Sequence, residues 1–261
     1  MYIKDEEKGL QVEKKTKTQV KIKICGLRTP ADVAAVNAVL PEFCGFIFVP
    51  MRRRYVAPAQ AAILRQQLDP RIRPVGVFVD AQVEDILDVL EQCPLDMVQL
   101  HGSEDDDYIA MLRSAYRKRW RGETGRTFMN GVDESPGGVE KQGCFSDEMH
   151  SIPERPHDLC IVKAFRIEDE EDIRRAEASI ADEILLDHGA GGTGECFDWS
   201  LLPHCRRRFF LAGGLGPDNV EEAITRTQPY AVDVSSSLET DGRKDPEKIR
   251  RFVEAVRGTI R

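Results

Sequence analysis

The sequence predicts an α/β protein built as a parallel eight-stranded (β/α)8 (TIM) barrel, and three observations lead there. Short β-branched or aromatic runs alternate with helix-period stretches along most of the 261 residues. Alternation of that kind implies parallel strands joined by helical crossovers. Eight such units fit within the ~250 residues that this barrel usually needs, and the chain shows neither a central linker nor unlike halves that would suggest an open two-domain sheet.

The elements follow in order. Val20–Cys25 reads as the first strand, and Pro30 opens a helix to about Leu40. Cys44–Val49 precedes a helix from Pro58 to about Leu68, and Pro74–Val79 one from Val83 to about Gln92. Asp96–Leu100 is followed by a helix from Glu104 to about Arg117, and Cys160–Ala164 by one from Asp169 to Ile180. Glu183–Asp187 leads into a glycine-rich loop and a short segment, Asp198–Leu202. Arg208–Ala212 and Tyr230–Val234 are the last strands, with helices from Pro217 to Arg226 and Pro246 to Val256. Residues 1–19 carry five lysines and four acids without apolar periodicity and read as a mobile tail. Residues 119–157 hold six glycines and three prolines and read as an insertion between helix 4 and strand 5. Residues 20–261 are then one barrel domain.

Composition narrows the function. A net charge of −8 argues against a nucleic-acid partner. No apolar run is long enough for a membrane span. Seven scattered cysteines without a CxxC read as reduced thiols in a cytoplasmic protein. Cys144, His150, His157 and Cys160 are possible ligand types, but their spacing is not that of a familiar zinc module, so no metal is expected.

Barrel geometry gathers the C-terminal ends of the strands at one mouth, where the active sites of such barrels lie. Gly213 and Gly214 after strand 7, with Ser235 and Ser236 after strand 8, supply close backbone approach and hydroxyl donors suited to a phosphorylated small molecule. Asp187 stands at the root of the loop that contains Gly192, and a carboxyl there that holds its proton near neutral pH is a general acid. Cys25 ends strand 1; a thiol whose ionisation its neighbours ease would be a base or a nucleophile. Arg52, Arg53 and Arg54 form a basic cluster that either grips a carboxylate or is solvated. His101 is either a donor to substrate or a satisfied turn residue.

Taken together, KICGL (23–27), RRRYV (52–56), VGVFV (75–79), QLHG (99–102), IVKAF (161–165), LLD (185–187), GGTGECFDW (191–199), LAGGL (211–215) and DVSSSLE (233–239) resemble the phosphoribosylanthranilate isomerases of tryptophan biosynthesis. The resemblance runs from about Lys21 to Val256, leaving out the 119–157 stretch. It implies a cofactor-independent Amadori rearrangement of N-(5-phosphoribosyl)anthranilate, in a protein that is a monomer or homodimer. Asp187 matches the general acid that opens the ribose ring, and Cys25 the base that removes the C2 proton. Arg54 aligns with the arginine that holds the anthranilate carboxylate, and His101 and Asp233 with other substrate contacts. Gly192, Gly213, Gly214, Ser235 and Ser236 fall in the phosphate-site loops. Two residues depart from the pattern: Arg52, where a small residue is common, and Ser237, where a glycine would permit positive φ. Other readings compatible with the residues are a related barrel acting on another phosphoribosyl aminoaldose, and a catalytically silent phosphate-ligand scaffold.

Overall fold

The structure, a computed structural model, describes residues 19–121, 158–187 and 199–259. Eight parallel strands close on themselves in sequence order. They are β1 (Lys21–Cys25), β2 (Phe43–Ile47), β3 (Arg73–Phe78), β4 (Met97–Leu100), β5 (Cys160–Arg166), β6 (Glu183–Asp187), β7 (Phe209–Leu211) and β8 (Ala231–Val234). Closure is made by β1 against β8, where Lys23 stands opposite Asp233. The helices are α1 (Pro30–Val39), α2 (Pro58–Gln66), α3 (Val83–Gln92), α4 (Asp106–Arg121), α5 (Glu170–Ala178), α6 (Val220–Thr227) and α7 (Pro246–Gly258).

Alternation along each strand explains the two cores. Outward residues such as Ile22, Ile24, Val98 and Ile161 pack with helix residues such as Ile86, Leu90 and Phe252. Inward residues Phe43, Val75, Met97, Val162, Leu185 and Phe210 fill the barrel itself. The interior is therefore a packed plug with room for chemistry only at its upper end. Helix entries are set locally: Thr29 and Asp32 form a reciprocal cap ahead of Pro30, and Asp169 with Asp172 does the same for α5.

Most bounds differ from the sequence reading by only a few residues, and two differences have a clear cause. Helix α4 begins at Asp106, not Glu104, because the buried Glu104 carboxylate accepts from the backbone N–H groups of Asp80 and Gly102. It also runs on to Arg121, so residues 119–121 belong to the helix and not to the insertion. A short 310 turn, Trp199–His204, stands between β6 and β7. Residues 1–18, 122–157 and 188–198 lie outside the described residues, and with them most of the tail and insertion, Gly192, and the candidate ligands Cys144, His150 and His157.

A hairpin of β9 (Glu239–Thr240) and β10 (Arg243–Lys244) follows β8 and was not foreseen. Its signal is present in the sequence. Asp241 and Gly242 both adopt positive φ (50° and 73°), as a two-residue Asp-Gly hairpin turn requires.

Candidate active site

Cys25, His101, Asp187, Asp233, Gly213, Gly214 and Ser235 all stand at or just beyond the C-terminal ends of their strands. Asp187 and His101 touch: His101 Nε2 lies 3.2 Å from Asp187 Oδ2, and His101 Nδ1 lies 2.8 Å from the Gln99 amide nitrogen. Gln99 is buried one turn of the strand pleat below, inside the barrel.

The thiol of Cys25 sits on a charged floor. Lys23, two residues earlier and hence on the same inward face, donates to Asp233 Oδ2 at 2.8 Å in a fully buried ion pair. Burial depresses the Lys23 ammonium more than any other single influence, but Asp233 and Cys25 together, through charge and hydrogen bonding, outweigh it and hold Lys23 above its ordinary value. Burial pushes the Asp233 carboxyl up while Lys23 pulls it back. Burial also raises the Cys25 thiol, against the attraction of Lys23 and Lys244 for its thiolate. The sequence left the direction of this thiol open; in the packed structure loss of water outweighs the two nearby ammonium groups. Gly45 of β2 makes room for the sulfur, since a Cβ there would lie 2.5 Å from Cys25 Sγ.

Arg54 reaches the mouth across Gly26, whose φ is +86° and where a Cβ would meet Arg54 Cδ at 2.7 Å. Its guanidinium is already gripped by Glu239, with Nε to Oε1 at 2.6 Å and Nη2 to Oε2 at 3.1 Å. Glu239 also pairs with Arg53 (2.6 Å) and the buried Lys244 (3.2 Å). Burial works against the Glu239 carboxylate, but Arg54 and Lys244 overcome it and hold it below its usual range. Arg54 is thus fixed by a carboxylate of the protein, and its Nη1 makes no hydrogen bond among the described residues. Arg52 is exposed and stands apart from this network.

After β7, Gly213 and Gly214 turn through positive φ (91° and 64°). After β8, a 310 turn (Ser236–Leu238) opens at Ser235, whose hydroxyl donates to the Cys25 carbonyl at 3.1 Å. Ser237 does not adopt positive φ, so the turn where a glycine would permit it is shaped differently here. This serine lies within that 310 turn, and its hydroxyl donates to the Leu215 carbonyl, tying the two loops together. A short helical turn after strand 8 beside the strand 7 loop is where barrels of this kind commonly hold phosphate.

Sequence reasoning placed these strand ends at one mouth, Gln99 among them, and did not single out the supports beneath them: Lys23, Gly45, Glu239 and Lys244. Lys23 carried a signal, a lysine at an inward position of a strand, which demands a buried partner. Among the described residues no group of histidine, cysteine or acidic side chains is arranged to hold a metal ion.

A closed parallel barrel with a thiol, carboxyls and an imidazole at its mouth has the architecture of an enzyme, and its last two loops are those with which such barrels commonly take phosphorylated small molecules. The model of one family, N-(5'-phosphoribosyl)anthranilate (PRA) isomerase, matches residues 22–126 and 145–255. The chain belongs to that family. It is 35% identical over 241 residues to the N-(5'-phosphoribosyl)anthranilate isomerase of Endomicrobium trichonymphae, covering 91% of this chain and 98% of that one. It is 37% identical to the enzyme of Lactiplantibacillus plantarum, covering 91% and 92%. The phosphoribosyl anthranilate isomerase of Thermotoga maritima superimposes with a TM-score of 0.71 at 32% identity, covering 92% of this chain and 99% of that one. A phosphoribosyl anthranilate isomerase in complex with reduced 1-(o-carboxyphenylamino)-1-deoxyribulose 5-phosphate superimposes with a TM-score of 0.69 at 31% identity, covering 92% and 99%.

Proposed function

We propose that the mouth carries out the Amadori rearrangement of N-(5'-phosphoribosyl)anthranilate to 1-(2-carboxyphenylamino)-1-deoxyribulose 5-phosphate, with Asp187 as general acid and Cys25 as general base. The observation that carries this reading is that a carboxyl and a thiol from the non-adjacent strands β6 and β1 face one mouth, beside two loops suited to phosphate. The turns at Gly213–Gly214 and Ser235–Ser236 anchor the phosphate, and Gly192 belongs with them by its place in the sequence. Arg54 meets the anthranilate carboxylate through the edge that Glu239 leaves open.

Asp187 gives its proton to the ribose ring oxygen, and the C1–O bond breaks to leave a Schiff base. The Cys25 thiolate then takes the proton from C2, and the electron pair moves to the nitrogen to give an enolamine. Tautomerisation to the ketone returns a proton to carbon. Atoms and electrons balance within the substrate, so the reading asks for no cofactor. Lys23 and Lys244 offset the thiolate charge, while the Lys23–Asp233 pair and His101 hold the floor against which the ribose lies.

No helix among the described residues is long and apolar enough to cross a membrane. The free thiols Cys25, Cys44, Cys93, Cys160 and Cys205 support a reducing compartment, the cytoplasm. A dimeric isomerase from Thermotoga maritima is among the structural relatives, and light scattering would distinguish monomer from homodimer here. The test of function is loss of anthranilate-substrate fluorescence in the presence of EDTA. Turnover is expected; binding without turnover would leave a silent phosphate-ligand scaffold.

A further inference from the structure

A buried ion pair beside the mouth takes no part in the chemistry proposed above. Along β5, Val162 and Ala164 face into the barrel, so Lys163 between them faces out, into the layer where strands pack on helices. Its Nζ lies 3.2 Å from Glu104 Oε2, and the two side chains are only 6% and 2% exposed. Burial pulls the Lys163 ammonium below its ordinary value, against the charge and the hydrogen bond of Glu104. A buried pair of this kind rarely stabilises a fold more than well-packed apolar residues of the same volume.

The contacts around the pair show what else it does. Lys163 Nζ donates to the Gly102 carbonyl at 2.7 Å, and Glu104 Oε2 accepts from the Gly102 N–H at 2.8 Å. The residue after His101 is thus held at both of its polar atoms by one ion pair. The His101 N–H donates to the Phe78 carbonyl at 2.8 Å. Both peptide planes that flank the His101 Cα are pinned, which leaves little play in its φ and ψ. Glu104 Oε1 accepts from the Asp80 N–H at 2.8 Å, and Asp80 Oδ1 accepts from the Ser103 N–H and hydroxyl at 2.6 and 2.7 Å. The loops after β3 and β4 are laced so closely that a Cβ on Gly102 would lie 2.4 Å from Asp80 Oδ1 and 2.8 Å from Asp80 N. His101 rides on that lacing, with its Nε2 at 3.2 Å from Asp187 Oδ2.

Resting on the reading of the mouth as an isomerase site with Asp187 its acid, we infer that Lys163 and Glu104 are positioning residues: acting through Gly102 from outside the barrel, they fix the main chain of His101 and so hold its imidazole against Asp187 and the substrate. With the main chain held, only two side-chain torsions place the ring. A displacement of about 1 Å at such a site costs up to ~10²-fold in rate.

The test is a double-mutant cycle in kcat, read by loss of substrate fluorescence, with His101→Asn as the second site. Lys163→Met releases the Gly102 carbonyl and is expected to lower kcat about tenfold. In the His101→Asn background the same change is expected to lower kcat by less than about twofold, because the ring it positions is already gone. A Lys163→Met protein with wild-type kcat, or an equal loss in both backgrounds, would overturn the proposal. A lone buried Glu104 carboxylate can unfold the chain, so Lys163→Met/Glu104→Gln, which removes both charges, is carried through the same cycle. Every variant is assayed below its own melting transition. A pair that served stability alone would lower Tm and leave kcat where it was. His101→Asn with wild-type kcat also overturns the inference, since nothing would then need positioning. Asp187→Asn keeps the failures apart: if it is inactive, a failed cycle removes only the role of the pair, whereas an active Asp187→Asn removes the acid reading and the inference with it.

Discussion

Replacing Gly45 with alanine adds one methyl group at the most crowded point of the site. The new Cβ would lie 2.5 Å from Cys25 Sγ, 3.1 Å from Cys25 Cα and 3.2 Å from Cys25 Cβ. Turning the thiol aside relieves the first contact but not the other two, so β1 and β2 must part at the very residues where they pair, Cys25 and Gly45. Overpacking of this kind costs about 1–3 kcal/mol, which for a chain of this size lowers Tm by roughly 3–10 °C. The same shift moves the thiol proposed as the base, and a displacement of about 1 Å can cost ~10²-fold in rate. Thermal melts and substrate-fluorescence assays on Gly45→Ala, Cys25→Ala and the double variant form a cycle. The double variant should be less destabilised than the sum of the singles, by roughly 0.5–2 kcal/mol, because the sulfur is gone. A Gly45→Ala protein with unchanged Tm and kcat, or strict additivity in the cycle, would refute the reasoning.

Two further outcomes follow from the charged and buried groups. Glu239→Gln takes the counter-charge from the buried Lys244 and loosens Arg54. Stability should fall by about 3 kcal/mol in urea unfolding, and KM should rise several-fold with kcat nearly held; a kcat-only effect contradicts the role of Arg54. Burial pushes the Cys93 thiol from 9.0 to about 12. Between these values the unfolded chain has released a proton that the folded chain keeps, so unfolding becomes easier as pH rises. The stability advantage of wild type over Cys93→Ala should therefore shrink between pH 9 and 12, by up to about 1.4 kcal/mol per pH unit. A gap independent of pH there would contradict the assignment.

The sequence carried the barrel because each inward-facing run had to alternate with a helix, and a strand end in a barrel has a known position in space. Cys25, His101 and Asp187 could be placed at one mouth for that reason alone. What could not be read is what depends on closure. Lys23 and Asp233 are 210 residues apart and meet only because β1 pairs with β8. Glu239 and Arg54, 185 residues apart, meet through the hairpin that the Asp-Gly turn allows. Arg54 looked like a free guanidinium because nothing local announces its carboxylate partner. The direction of the Cys25 thiol was open for a similar reason: neighbouring lysines and burial pull it opposite ways, and only the packed structure says that burial wins.

The central claim is that Asp187 and Cys25 move the two protons of one rearrangement. It is tested most directly by comparing wild type, Cys25→Ala and Asp187→Asn for consumption of N-(5'-phosphoribosyl)anthranilate and, in parallel, for affinity toward a reduced product analogue. Each variant should lose about 10²–10⁴-fold or more in kcat while its affinity for the analogue stays within a few-fold of wild type. Turnover near the wild-type rate in either variant would contradict the claim.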